Sequence, residues 1–191
     1  GKKYDEKYFL NTSAALIGAL GSIVAAWHRI RNGDEPILSK PDSTYAENFL
    51  HILGAEKITP LMTRIMDATL VLHGEHTINA STFTAMVTSS TLANASQVVA
   101  SAIGSLSGPL HGGANEKVIA MLEKIESKEE IRPWLDETLK AKNVVWGMGH
   151  REYSVKDPRA NILTEMVQQL FDEREGGVTD IFEKAIELEK A

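Results

Sequence analysis

Apolar side chains recur at helical spacing along almost the whole sequence, and this periodicity restricts the fold more than any other feature. Strand signals are almost missing, since Val144-Val145-Trp146 is the one candidate and it is short. We therefore predict an all-α fold. Apolar stripes predict helices within 16–30, 49–53, 62–70 and 118–125, and further helices are predicted over 129–142, 158–173 and 178–189.

Local signals predict where several helices begin and end. Asn32-Gly33 closes the first helix, Ser43-Thr44 caps the second, and Thr59-Pro60 opens the third with proline at its first position. Residues 81–106 are mostly Ala, Ser, Thr and Val, so we expect a buried helix there that its neighbours approach closely. Charged and apolar residues alternate after that run, which predicts a domain boundary between residues 107 and 108.

Size, charge and cysteine content exclude several classes of protein. With 191 residues, of which 43% are hydrophobic, the chain can bury one sizeable core or a core with a small lobe. The absence of cysteine excludes disulfides and thiolate metal sites and fits a reducing cytoplasm. The formal charge of −6 argues against nucleic acid as a main partner. Because no run of eighteen apolar residues is present, no membrane partner is expected either.

A glycine-rich turn, Ser107-Gly-Pro-Leu-His-Gly-Gly-Ala-Asn115, carries the first candidate catalytic residue, His111. Pro109 has a fixed φ, and Gly112-Gly113 permits dihedrals that are closed to other residues. A helix is expected to begin near residue 114 or 115, and the positive end of its dipole disfavours a charged imidazole. A neutral imidazole can donate a hydrogen bond to a carbonyl that is becoming an enolate. The alternative is a histidine that caps the helix, and the flanking glycines favour the catalytic interpretation.

A second histidine, His150, lies on another glycine-rich turn, Gly147-Met-Gly-His150, and Arg159 follows nine residues later. Asp157-Pro158 is typical of a helix start, which places Arg159 in the first helical turn. Arginine suits bidentate binding of a carboxylate. The alternative for Arg159 is a surface residue that pairs with Asp157 or Glu165.

Other candidate groups are weaker. His73 and His76 are three residues apart, as in some metal sites, but Gly74 interrupts the helix and Glu75 is the one adjacent acid, so no metal is expected. Acid–base chemistry also needs a carboxylate base, and no acid in this sequence stands out for that role.

Four segments resemble citrate synthase of the bacterial and archaeal kind, in the order and at the spacing of that family. They are residues 23–33, 72–82, 108–116 and 147–159, and the last two are specific. The resemblance implies an all-helical citrate synthase fold. In that fold, residues 1–107 form part of the large domain, which supplies the interface of a homodimer. Residues 108–191 make up most of the small domain, which closes over the substrates.

The resemblance also implies a role for each candidate residue. His111 would donate a hydrogen bond to the thioester carbonyl of acetyl-CoA as it enolises, and His150 would polarise the ketone of oxaloacetate. His76 and Arg159 would hold oxygens of oxaloacetate, with Asn79 in support of His76. Acetyl-CoA is a substrate, and no separate cofactor is implied. The CoA-binding residues would be Val144, Val145, Gly147, Met148, Gly149 and Lys156.

The sequence departs from the family pattern in two ways. Family members are about twice as long, and their catalytic aspartate would lie shortly after Ala191, so the chain resembles an interior fragment from which we expect little turnover. In addition, Met148, Glu152 and Ser154 stand where the family usually has an aromatic, a small aliphatic and a basic residue. The basic residue commonly contacts a CoA phosphate, and Lys156 is expected to replace it.

Three alternatives stay open. A 2-methylcitrate synthase shares these motifs and differs in the pocket around the acyl methyl group. A non-catalytic helical dimerisation module could have inherited the site residues, and the missing base favours that module for the chain as it stands. A histidine-based metal hydrolase is disfavoured by the weak ligand pattern.

Overall fold

The computed structural model describes residues 5–74, 77–149, 155–173 and 177–191. Regular structure within these ranges is helical and contains no strand, so the predicted all-α fold is confirmed. A short 3₁₀ helix, Lys128–Glu130, precedes α7. The α-helices are α1 (Glu6–Arg31), α2 (Tyr45–Leu53), α3 (Pro60–Leu72), α4 (Ala80–Ser90), α5 (Ala95–Leu106), α6 (Gly113–Glu123), α7 (Ile131–Lys140), α8 (Pro158–Asp172) and α9 (Asp180–Lys190).

Local capping sets the helix ends that the sequence predicts. Asn32 caps the C-terminus of α1, and Gly33 follows with a φ of 82°, in the left-handed region that glycine tolerates. α2 and α3 begin after Thr44 and Thr59, whose hydroxyls accept backbone N–H groups three residues on at 3.3 and 3.2 Å. Pro60 is the first residue of α3. These predicted ends are therefore confirmed.

The single buried helix predicted over residues 81–106 is wrong in two respects. The chain forms two helices there, α4 and α5, because Leu92 takes a φ of 63° and breaks the first helix. Asn94 Oδ1 accepts the Gln97 N–H at 3.0 Å, and Gln97 Oε1 accepts the Asn94 N–H at 3.3 Å. This reciprocal cap starts α5. Neither helix contains a buried residue within this chain.

The strand candidate Val144-Val145-Trp146 is also wrong. It lies in an irregular segment that leads from α7 into the turn at Gly147. A strand requires a partner strand to pair its backbone groups, and the residues that the structure describes contain none. Val145 and Trp146 pack against a helical core instead.

The chain divides into two compact units. The first comprises Gly1–Asn79 with Ala85–Ala100, and the second comprises Ala80–Thr84 with Ser101–Ala191. The division into units does not test the domain boundary, so the boundary predicted between residues 107 and 108 stays a prediction.

In the first unit, α2 packs against both α1 and α3, and glycines make the close contacts possible. The Tyr45 ring lies where a Cβ on Gly21 would be, and its hydroxyl donates to the Ile17 carbonyl oxygen at 2.9 Å. Gly54 caps the C-terminus of α2 with a φ of 96°. The Arg29 guanidinium lies where a Cβ on Gly54 would be. The missing side chains therefore let α2 approach α1.

The second unit has a core built from α6, α7, α9 and the connection after α6. Its buried side chains are Met121, Leu122, Ile125, Ile131 and Leu188. The predicted stripe of α6 is thereby confirmed, with Val118 partly buried at its start. Lys184 of α9 is also buried, and its ammonium group pairs with the Asp180 carboxylate at 2.5 Å one turn earlier.

The apolar stripe of α1 is exposed within this chain. Ile23 and Trp27 are 60% and 59% exposed, and Ala25 is the one buried residue of the helix. By length and composition α1 could cross a membrane, since its most apolar eighteen-residue window has a mean hydropathy of 1.7 and is 6% buried. A helix covered by another protein surface meets the same criterion. The predicted absence of a membrane partner therefore stays a prediction.

We predict that Gly54→Ala lowers the free energy of unfolding by about 1–3 kcal/mol. An alanine would be held in the left-handed region, and its Cβ would displace the Arg29 guanidinium. The matched control is Gly18→Ala on α1, where a Cβ meets nothing within 4 Å and helix propensity should raise stability by about 0.5–1 kcal/mol. Urea unfolding measures both variants, and equal stabilities would contradict the prediction.

Candidate functional site

Backbone hydrogen bonds fold the His111 turn onto the end of α5. The Gly112 N–H donates to the Leu106 carbonyl oxygen and the His111 N–H donates to the Gly108 carbonyl oxygen, both at 2.9 Å. α6 begins directly after this turn, at Gly113. The predicted helix start is therefore confirmed to within a residue or two, and the turn holds His111 just ahead of it.

The reason predicted for Gly112 is wrong. Its φ of −66° and ψ of −21° are ordinary helical values that any residue can adopt. A Cβ at this position would instead lie 2.6 Å from the Leu106 carbonyl oxygen. Glycine is thus required by the close approach of two backbone segments.

Ser81, at the start of α4, binds the imidazole of His111. Its backbone N–H points to His111 Nε2 at 3.3 Å, and its Oγ lies 3.0 Å from the same nitrogen. An amide N–H can only donate, so Nε2 must be the acceptor and the ring proton lies on Nδ1. In this tautomer the Nδ1–H can donate to a ligand. Sequence analysis missed Ser81, although it lies within the segment of residues 72–82.

The second glycine-rich turn is described through Gly149, and its two glycines adopt conformations that favour glycine. Gly147 and Gly149 have φ values of 86° and 77°, which favour glycine. A Cβ on Gly147 would also lie 3.1 Å from Cγ2 of Val118, so this turn packs directly on the side of α6. α6 therefore carries the His111 turn at its N-terminus and the Gly147 turn on its flank.

Lys117 of α6 connects the two turns. Its Nζ lies 4.1 Å from the centroid of the Trp146 ring, a cation–π geometry, and it donates to the Pro109 carbonyl oxygen at 3.3 Å. One ammonium group thus contacts the chain just before His111 and just before Gly147. No sequence signal singled out this pair, because its members are 29 positions apart, one on α6 and the other in the irregular segment after α7.

A cavity of about 690 Å³ opens beside the Gly147 turn, in the second unit. Its apolar walls come from α6, the turn and α9, and the charged residues among those described there are Lys156, Asp157 and Glu189. Gly147, Met148, Gly149 and Lys156, four of the predicted CoA-binding residues, line it. The other two, Val144 and Val145, line a neighbouring pocket of about 440 Å³.

Asp157 organises the start of α8, as predicted. Its carboxylate accepts the Arg159 N–H at 2.9 Å, and Pro158 is the first residue of the helix. The same carboxylate receives the Arg159 side chain, with Nη2 at 2.5 Å and Nε at 3.0 Å from Oδ2. The guanidinium is therefore bound to a carboxylate of its own chain.

The remaining predicted site residues are less informative. His76 and His150 lie outside the described residues, and Asn79 is an exposed residue just before α4. His73 caps α3, with Nδ1 at 2.6 Å from the Thr69 carbonyl oxygen, which gives it a local structural role. Within the described ranges no group of three His, Cys, Asp or Glu residues is placed to hold a metal ion.

Sequence comparison identifies relatives over nearly the whole chain. The family model for the C-terminal domain of citrate synthase matches residues 2–191. Citrate synthase from Synechocystis sp. is 47% identical over 97% of this chain and 46% of its own length. That from Acidithiobacillus ferridurans is 46% identical over 92% of this chain and 45% of its own. A 2-methylcitrate synthase from Shewanella oneidensis is 38% identical over 81% of this chain and 42% of its own length. The chain thus spans about half the length of the curated relatives it matches.

Structural comparison agrees. Citrate synthase from Thermoplasma acidophilum, solved as a ternary complex with carboxymethyl coenzyme A and oxaloacetate, superposes with a TM-score of 0.86. It is 30% identical, and the match covers 98% of this chain and 49% of that protein. Since the family model and the relatives cover nearly all 191 residues, the chain belongs to the citrate synthase family.

Proposed function

We propose that the protein containing this chain condenses acetyl-CoA with oxaloacetate to form citrate and CoA. The observation that carries the proposal is the hydrogen bonding of His111, whose Nε2 accepts from Ser81 and whose Nδ1–H is left as a donor. Transfer of a methyl proton to a carboxylate base turns the acetyl thioester into an enolate, and negative charge then develops on the thioester oxygen. A neutral, preorganised N–H donor stabilises that charge without giving up its own proton.

The remaining roles complete the reaction. The enolate carbon forms a bond to the ketone carbon of oxaloacetate, and the ketone oxygen, which His150 polarises, takes up a proton to become a hydroxyl group. Water then hydrolyses the thioester to release CoA. His76 and Arg159 hold the oxygens of oxaloacetate, with Asn79 in support of His76. The CoA moiety lies along residues 144–149, next to the cavity and Lys156. The Thermoplasma acidophilum relative, which binds a CoA analogue together with oxaloacetate, supports this pair of substrates.

A 2-methylcitrate synthase, which would take propionyl-CoA, is the second candidate. Its support is the Shewanella oneidensis relative, at 38% identity against 47% for the cyanobacterial citrate synthase. A ratio of kcat/KM for acetyl-CoA over propionyl-CoA well above one supports the first candidate, and the inverse ratio supports the second. A non-catalytic module has less support, because nothing in dimerisation requires the hydrogen bonds around His111. A cytoplasmic location stays a prediction.

In the complete protein, His111→Ala and His150→Ala should each lower kcat on the order of 10²–10³-fold, because each removes a donor to a developing oxyanion. The measurement is release of the CoA thiol from acetyl-CoA in the presence of oxaloacetate. His28→Ala is the control. That residue lies in the last turn of α1, where its ring contacts Asn32, and its loss should leave the rate nearly unchanged. Near-normal turnover in a folded His111→Ala protein would refute the role assigned to His111.

Arg159→Lys tests whether Arg159 binds a carboxylate of oxaloacetate. A lysine ammonium cannot reproduce the two parallel hydrogen bonds of a guanidinium, so the KM for oxaloacetate should rise well above that of the unsubstituted protein while the KM for acetyl-CoA changes little. The ion pair between Arg159 and Asp157 supports the alternative, in which Arg159 has only a structural role. If Arg159 serves α8 alone, oxaloacetate KM stays unchanged and stability falls by at most about 1 kcal/mol.

A homodimer formed through the helices before residue 107 is part of the proposal. α4 and α5 contain no buried residue, and the exposed apolar side chains Phe83, Met86 and Val87 lie along α4. The small residues of 85–102 would let helices of a second copy approach closely. An interface of the obligate type, on the order of 2,000 Å² or more, would bury such a surface.

The dimer is tested by sedimentation of the complete protein. We expect a dimer at micromolar concentration, and we expect Val87→Glu to weaken it because a charge would enter an apolar interface. Leu139→Glu on α7, at an exposed apolar residue of the second unit, should leave the dimer intact. A folded monomer of the unsubstituted protein across micromolar concentrations would count against the proposal.

A further inference from the structure

Lys156 is already engaged by a carboxylate of its own chain. Its Nζ lies 2.5 Å from Oε1 of Glu189, and this ion pair joins the segment before α8 to the last turn of α9. Both residues line the 690 Å³ cavity, and their side chains are 41% and 39% exposed. Water and ligands can therefore reach both partners of the pair.

The described part of the cavity wall carries more acidic than basic side chains. Among its described lining residues Lys156 is the cation, whereas Asp157 and Glu189 are carboxylates. Asp157 is bound to Arg159, so Glu189 is the acid that holds the ammonium group. Among the described residues, Lys156 is the cation that an anion in the cavity meets, and that anion must take it from Glu189.

This exchange is energetically accessible. An exposed ion pair contributes about fivefold or less to an equilibrium constant, so it does not lock the ammonium group. A phosphate offers several oxygens and more charge than one carboxylate, and lysine binds phosphate as a point charge. Glu189 also lies at the C-terminal end of α9, where the helix dipole disfavours a negative charge. Its neutralisation is therefore compatible with an intact helix.

We propose that Glu189 determines the anion affinity of this cavity by competing with a CoA phosphate for Lys156. The inference rests on the proposed function, because it takes CoA as the occupant. While the cavity is empty, Glu189 holds the ammonium group. When CoA enters, a phosphate replaces the carboxylate on Nζ. The competition lowers the affinity for CoA below the value that Lys156 alone would allow, and it discriminates against anions with less charge.

The test is calorimetric titration of the complete protein with CoA and with 3′-dephospho-CoA. Glu189→Gln should lower the Kd for CoA about 2–5-fold, and Lys156→Gln should raise it by a similar factor. In the double variant Glu189→Gln should lose most of its effect, because no ammonium group is left to release. Glu187→Gln is the matched control, since Glu187 contacts Lys190 on the same helix at 3.8 Å and lies outside this cavity.

The outcomes separate the two proposals. Equal CoA affinity in the unsubstituted protein and Glu189→Gln overturns this inference and leaves the proposed function intact. If Glu189→Gln raises the CoA affinity equally with Lys156 present and with Lys156→Gln, the inference is also overturned, because Glu189 then acts by general charge repulsion. Absence of CoA binding in every protein overturns the proposed function together with this inference. A gain for CoA that disappears with 3′-dephospho-CoA identifies the 3′-phosphate as the competing group, whereas a gain with both ligands identifies the diphosphate.

Discussion

Packing of the second glycine-rich turn against α6 is the contact on which the rest of the described site depends. α6 is held by the burial of Met121 and Leu122 in the core of the second unit, so its position is set by apolar packing. The His111 turn leads into its N-terminus, and Gly147 contacts its side at Val118. The His111 turn and the Gly147 turn are far apart in sequence, yet α6 positions both of them.

Sequence reasoning succeeded where the determining interactions are local. Helix ends at Asn32-Gly33 and Thr59-Pro60 depend on neighbours within four residues, and the all-α fold follows from periodicity alone. The break at Leu92 is also local, but the run of small residues around it concealed the capping pair that starts α5. The contact of Ser81 with His111 spans 30 positions. Such a contact depends on tertiary packing, which the pattern of one sequence does not specify.

Periodicity predicts that a helix has an apolar face but not what covers that face. The stripe of α6 is covered by α9 within the chain, whereas the stripe of α1 is largely exposed. Both stripes have the same form in the sequence. An apolar face that is buried within the chain can position a site, as α6 does for the two glycine-rich turns, whereas most of the apolar face of α1 is left exposed by the rest of the described chain. The structure therefore shows that Trp27 is exposed within this chain, which its spacing in the sequence did not indicate.

The two cations that we propose to bind substrate anions share one property, and this property affects the binding mechanism that we expect. Arg159 is bound to Asp157, and Lys156 is bound to Glu189. In a chain with a formal charge of −6, such pairing keeps basic side chains ordered and limits nonspecific attraction of anions. Binding of a dicarboxylate or a phosphate is then an exchange of one anion for another. Because the cation is paired before and after, net affinity must come from geometry, from the number of hydrogen bonds gained and from any additional charge on the incoming anion. Such a site selects among anions by shape and charge count, which is how a negatively charged protein can bind negatively charged substrates.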